Sequence, residues 1–300
     1  MYLEQFGLKR LPFETLSNGS LYVDLPEHRD AHNVVLVGLR SGEGFIKVVG
    51  EVGTGKTALC RRILSGIDDT VVPIYLPDPA LRPQALLATV ADELGVVLQL
   101  QAPLHLLKQR LREVLIDVAR EDRRVVLFID EAQTVPIATF EALRLLSNLE
   151  SDAGRLVQIV LFVQPELDDR LGSYALRPLT QRISFSARLS PLDLDACRVY
   201  VQRRLREAGS GNPELVGEPA LALLHRASGG IPRLINALAH KSLIAAYSED
   251  RFRIEPRHVK RAITETEGLR RWQIRPLVNW RAVLRRRRND HAVMAGRADA

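Results

Sequence analysis

Gly50-Glu-Val-Gly-Thr-Gly-Lys-Thr57 is the stretch on which the reading of this chain turns. It satisfies G-x-x-x-x-G-K-[ST] at every position, the P-loop or Walker A pattern. Its glycines let a short loop fold tightly and aim backbone N–H groups at phosphate oxygens. The helix expected after it adds its positive N-terminal end. Lys56 is placed to reach β- and γ-phosphates, and Thr57 to ligate Mg²⁺. Gly50, Glu51, Val52, Gly53, Thr54, Gly55, Lys56, Thr57 and Ala58 are therefore the candidates for binding ATP with Mg²⁺. The flanks are those the motif needs: the β-rich run Gly44–Val49 before it and the helical stretch Lys56–Ile67 after it.

Working outward, Val125-Val-Leu-Phe-Ile129 is a solid apolar run ending in Asp130-Glu131. Such a run suits a strand covered on both faces, as in a parallel sheet. Strand ends in a parallel sheet share one rim, so Asp130 is expected to face the P-loop and hold Mg²⁺. Glu131 is the candidate general base that polarises an attacking water. Leu156–Val163 is a second buried run and ends in Gln164, a polar group able to contact the γ-phosphate or the water, or simply to cap the strand. Thr70–Leu76 and Ile183–Leu189 complete five expected strands. Between them, helical spacing is read at His28–Ser41, Arg82–Leu94, Leu104–Arg120 and Ala138–Glu150. Strands alternating with helices predict an α/β fold with a parallel sheet flanked by helices.

After Pro191 the pattern changes to Asp193–Ala208, Glu218–Ser228, Pro232–Tyr247 and Glu255–Glu267, all helical, with no strand evident. The expected organisation is a nucleotide-binding α/β domain over 1–190, with 1–44 as an irregular leading segment, and a small all-helical lid over 191–268. A basic tail, 269–300, follows. Gly229-Gly-Ile-Pro-Arg233 opens one lid helix, and Arg233 lies in its first turn, where the dipole disfavours a cation. That placement points to an anionic partner, with the γ-phosphate as the natural candidate and a solvated arginine as the alternative. Arg177 and Arg182 lie between the last two strands, and either could project into a neighbouring subunit's ATP or remain an ordinary surface arginine.

The 300 residues are 46% hydrophobic and 26% charged, enough to build a real core. Two distant cysteines, Cys60 and Cys197, give no disulfide framework or metal spacing and fit a reducing compartment. The N-terminus carries no apolar signal region, and no run approaches the roughly 20 apolar residues of a membrane helix. The net charge of +6 is a property of the tail, where nine arginines face Asp290 and Asp299. The body is nearly neutral, which disfavours DNA binding by the main domain while leaving it open.

Together these residues resemble the AAA+ ATPases. More narrowly, the chain is similar to the ExeA/GspA-type secretion ATPases, and within them to the branch serving MSHA-type pilus biogenesis. The stretches that carry the resemblance are residues 1–9, GFIKVVGEVGTGKTALC at 44–60, VVLFIDEAQ at 125–133, LRLLSNLE at 143–150, VQIVLFVQPEL at 157–167 and ASGGIPRLIN at 227–236. The resemblance implies ATP hydrolysis coupled to assembly of a type IV pilus or type II secretion machine, with Gln164 as first sensor and Arg233 as second. It implies an oligomer in which Arg177 or Arg182 acts in trans, inner-membrane partner proteins, and a cytoplasmic location. It also sets Pro12-Phe13 in a leading segment near the adenine, although core packing explains a phenylalanine equally well.

The sequence departs from the family at Val163, where glycine is expected, and at Pro178, where a polar residue is expected. ExeA-type chains carry a membrane helix and a periplasmic part after the ATPase, and neither is expected within these 300 residues. Residues 270–288 hold Trp272 and Trp280 among arginines, which suits peripheral contact with an anionic membrane or a partner groove; a disordered solubilising tail is the alternative. Two rival functions share the motifs: a transposition- or replication-type AAA+ protein acting on DNA, and a nucleotide-dependent adaptor that does not hydrolyse.

Overall fold

The structure is a computed structural model, and it describes residues 2–14, 22–97, 103–151 and 154–266. The basic tail with its two tryptophans lies outside the described residues.

Five strands form the central sheet: β1 (Phe45–Gly50), β2 (Val71–Leu76), β3 (Arg124–Ile129), β4 (Val157–Val163) and β5 (Ile183–Leu189). All pair in parallel, in the order β2-β3-β4-β1-β5. The expected five-stranded parallel sheet is thus present. Pro73, which cannot donate to a ladder, sits on β2 at the sheet edge, where it is tolerated.

The unbroken apolar runs have their explanation in the two cores. Phe45, Val49, Leu127, Ile129, Ile159 and Leu161 point to one face, and Ile46, Val48, Val126, Phe128, Val160 and Phe162 to the other. Helices α1 (Pro26–Arg40) and α2 (Lys56–Leu64) cover the second face through Val35, Leu59 and Ile63. The first face is covered by α3 (Pro83–Glu93), α4 (Leu104–Arg120), α5 (Ile137–Leu146), α6 (Glu166–Leu171) and α7 (Arg177–Thr180). On α4 the fully buried residues Leu107, Leu111 and Leu115 recur every fourth position, the stripe an amphipathic helix needs. A two-residue antiparallel ladder, Glu150–Ser151 with Gly154–Arg155, precedes β4.

Four helices follow β5: α8 (Leu194–Glu207), α9 (Glu218–Ser228), α10 (Pro232–Ser248) and α11 (Pro256–Thr264). Asp193 caps α8 by accepting from the Ala196 amide, and Glu255 with His258 closes a capping box on α11. These helices share a separate core with Tyr2, Phe6, Leu8, Phe13, Val23 and Leu25 of the leading segment. That segment is fastened along its length. Tyr2 meets His240 Nδ1 at 3.0 Å, the Lys9 amide donates to Ala208 O at 2.7 Å, and Arg204 donates to Pro12 O at 2.6 Å and Glu14 O at 2.8 Å. Phe13 is therefore a core residue of the helical bundle.

Candidate functional site

The P-loop leaves β1 at Gly50 and enters α2 at Lys56. Two of its glycines are left-handed, Gly53 at φ 84° and Gly55 at φ 103°. A Cβ on Gly55 would stand 2.8 Å from His28 Nε2, and one on Gly53 would stand 2.7 Å from Arg233 Cβ. Conformation and space therefore both demand glycine at these two points. The first amide of α2 to find a carbonyl is that of Leu59, bonded to Gly55 O at 2.9 Å. The amides before it form the polar, positively biased mouth of the helix.

Lys56 is buried and folds back onto the loop, donating to Gly50 O at 2.8 Å and Glu51 O at 3.0 Å. Burial pushes its pKa down, opposed by the carboxylates of Glu131, Asp130, Glu51 and Glu166. Thr57 donates its hydroxyl to Asp130 Oδ2 at 2.6 Å, and the Tyr75 hydroxyl approaches the same oxygen at 3.4 Å. Asp130 is 3% exposed, and its other oxygen accepts the Glu131 amide at 3.0 Å. A hydroxyl and a carboxylate oxygen side by side, next to a phosphate-shaped loop, are the hard donors Mg²⁺ takes from a protein while phosphates and water supply the rest. Among the described residues no group of three or more His, Cys, Asp or Glu is placed to hold a metal ion.

Glu131 carries positive φ, 49°, which is unusual for a residue with a side chain. Its Oε2 accepts from Gln164 Nε2 at 2.7 Å and from Gln133 Nε2. Val163 is fully buried in the sheet core and leaves Gln164 within reach of Glu131. Arg233 opens α10 directly over the loop, where its amide donates to Gly53 O at 3.2 Å while its side chain is exposed.

The fold thus gathers Gly50 to Ala58, Asp130, Glu131, Gln164 and Arg233 at one end of the sheet. Arg177 and Arg182 stand apart from them. Arg182 precedes β5, whose seven residues span about 20 Å, so it lies toward the rim opposite the P-loop, and Arg177 begins α7. Pro178 fits beside Arg177 because the first turn of a helix needs no proline N–H.

Four residues of the site were not singled out from sequence. His28 lies on α1 and reaches Thr54 O at 3.1 Å, and Tyr75, next to last in β2, lies beside Asp130. Gln133 and Arg170 hold the segment after Glu131. Only Gln133 had a visible signal, as the polar residue closing the VVLFIDEAQ stretch.

Comparisons with known proteins bear on the fold that carries these residues. Residues 39–171 match the AAA domain family. General secretion pathway protein A of Aeromonas hydrophila is 38% identical over 270 residues, 90% of this chain and 49% of that protein. The chain thus spans about half the length of that curated relative. Among solved structures, Cdc6p of Pyrobaculum aerophilum superposes with a TM-score of 0.66 at 18% identity, covering 85% of this chain and 70% of the other. The RuvB Holliday junction branch migration motor of Thermotoga maritima gives 0.55 at 17% identity, covering 85% and 73%. The fold is that of P-loop AAA+ proteins.

Proposed function

We propose that this chain, with its AAA+ fold and its secretion-pathway relative, binds ATP with Mg²⁺ and hydrolyses it to drive assembly of an MSHA-like type IV pilus or a type II secretion machine. The observation that carries the nucleotide chemistry is the Thr57–Asp130 contact of 2.6 Å beside the buried Lys56. It joins the P-loop to a strand two places away in the sheet. The loop amides and Lys56 hold the phosphates, and Thr57 and Asp130 hold Mg²⁺. The ion, when bound, neutralises phosphate charge. Glu131, steadied by Gln164, takes the proton from the attacking water at its carboxylate.

The contact between α10 and Gly53 supports a role for residues 191–268 as a lid. Arg233 senses the γ-phosphate and so ties the lid angle to the nucleotide state. In this reading residues 1–190 are the nucleotide domain, with the leading segment braced on the lid, and 269–300 form a separate tail. The chain works as a homo-oligomer, and Arg177 or Arg182, remote from its own site, serves the neighbour's. It acts in the cytoplasm, peripherally at the inner membrane; no helix among the described residues is long and apolar enough to cross one.

Purified protein tests the chemistry. Glu131→Gln is expected to bind ATP as wild type does while turnover falls about 10²-fold or more. Lys56→Ala is expected to lose binding. Wild-type turnover at background level, or unchanged turnover in Glu131→Gln, rejects the reading. The cellular role is tested by deleting the gene and scoring surface pili and secreted protein; normal levels of both argue against it.

A further inference from the structure

Beyond the residues already assigned, a bracket of hydrogen bonds surrounds Glu131, and it is built mostly by two side chains with no role so far. Gln133 Nε2 donates to Glu131 Oε2, and Gln133 Oε1 accepts the Gln164 amide at 3.2 Å. These two bonds fix the orientation of the Gln133 amide. Flipping it would set its NH₂ against the Gln164 N–H and its oxygen against a carboxylate. Gln164 Nε2 donates to the same Glu131 oxygen at 2.7 Å. The end of β4 and the segment after β3 are therefore stitched together through two glutamines.

A second side chain holds that segment from outside. Arg170, on α6, donates its two terminal nitrogens to Gln133 O and to Val135 O, the latter at 3.0 Å, and its guanidinium lies 6.0 Å from the centre of the Phe140 ring. The planar fork of arginine spans two carbonyls in a way that lysine cannot. Helix α6 is itself anchored to the sheet, since Lys47 on β1 reaches Asp168 at 2.5 Å. The segment so gripped begins at Glu131, whose left-handed backbone conformation needs its surroundings to hold it.

We propose that Gln133 and Arg170 are positioning residues for Glu131. Gln133 occupies one carboxylate oxygen together with Gln164 and leaves the other for the reacting water. Arg170 maintains the backbone turn that lets Gln133 do so. The hydrogen bonds of both residues go to protein groups outside the P-loop. This rests on the hydrolysis reading of the site, and it adds that the strength of the base depends on a bracket reaching from β1 through α6.

The experiment compares wild type, Gln133→Ala, Arg170→Ala and Arg170→Lys. It measures steady-state ATP turnover, affinity for a fluorescent ATP analogue, thermal unfolding, and hydrogen exchange of residues 131–135 in the nucleotide-free protein. Gln133→Ala is expected to lower kcat about tenfold or more, with nucleotide affinity within about twofold of wild type. Both alanine variants are expected to speed exchange at 131–135 while the P-loop amides keep their protection. Arg170→Lys is expected to recover little, because it restores charge without the fork. Unchanged kcat in Gln133→Ala overturns the proposal and leaves the hydrolysis reading standing. Equal losses of kcat and affinity, or slowed exchange nowhere and faster exchange everywhere, also overturn it, as the marks of general disruption. Background turnover in wild type defeats the hydrolysis reading, and the proposal falls with it.

Discussion

His28 is neutral and buried, and its place against the P-loop makes it a sensitive residue. For Nε2 to donate to Thr54 O it must carry the proton, which leaves Nδ1 as a buried nitrogen with no partner. Burial holds its pKa below the ordinary 6.5, partly opposed by the Thr54 carbonyl and Asp24. The unfolded chain therefore takes up this proton first as pH falls. The stabilisation is complete above pH 6.5 and is lost as pH drops from there toward the folded pKa. Urea unfolding of wild type and His28→Gln at pH 8 and pH 5 checks this, with the larger acid loss expected in wild type. Gly55 presents the same contact from the other side. Gly55→Ala places a methyl 2.8 Å from His28 Nε2 at φ 103°. A loss of about 1–3 kcal/mol in ATP affinity is expected by calorimetry. The glycine was legible from the motif; its histidine neighbour was not, because 27 residues separate them and only the packing of α1 brings them together.

At the scale of elements, boundaries moved by small amounts and for local reasons. The second helix was expected to run to Ile67 but ends at Leu64, where Ser65 and Gly66 turn the chain. The fifth was expected to reach Glu150 and stops at Leu146, so that Leu149 O is free to accept the Leu156 amide at 2.9 Å ahead of β4. The inner strands β1, β3 and β4 were read from their apolar runs, because strands covered on two faces leave that signature, while the half-exposed edge strands β2 and β5 were read from shorter β-rich stretches. Their order was not, since pairing depends on crossovers that run length does not encode. The joint between the sheet and the helices after it is equally tertiary. Gly230 sits at φ 75°, and a Cβ there would lie 2.1 Å from Leu192 O, while the Leu192 amide donates to Gly230 O at 2.9 Å. Gly230→Ala is expected to cost about 2 kcal/mol or more and to raise protease cleavage near residues 190–193. Wild-type resistance there counts against this joint.

At the scale of the whole molecule, the leading segment is packed against the four helices that follow β5. The leading segment lies in the core of α8 to α11, and the buried Arg204 ties two of its carbonyls to α8. Arg204→Met keeps the stem but removes those donors. It is expected to cost about 1–3 kcal/mol. Faster hydrogen exchange is expected over residues 2–14 with little change at the P-loop, and uniform change across the protein contradicts it. Because the leading segment shares the core of α8 to α11, a shift of that bundle against the P-loop, which it meets through the Arg233 amide and Gly53 O, would move the segment with it.

Sequence alone determined the chemistry that neighbours in the chain can make: a phosphate loop between a strand and a helix, carboxylates at a strand's tip, and a switch from alternating elements to helices after Pro191. Each depends on spacing over a few residues, and spacing survives in a linear string. The tertiary structure alone decided which strand lies beside which, that Phe13 packs in the helical bundle, and that Gln133, Arg170, His28 and Tyr75 surround the loop and its carboxylates. Those contacts join residues from separate elements, and a hydrogen bond of 3 Å across such a gap leaves no periodicity behind for a reader of the sequence to find.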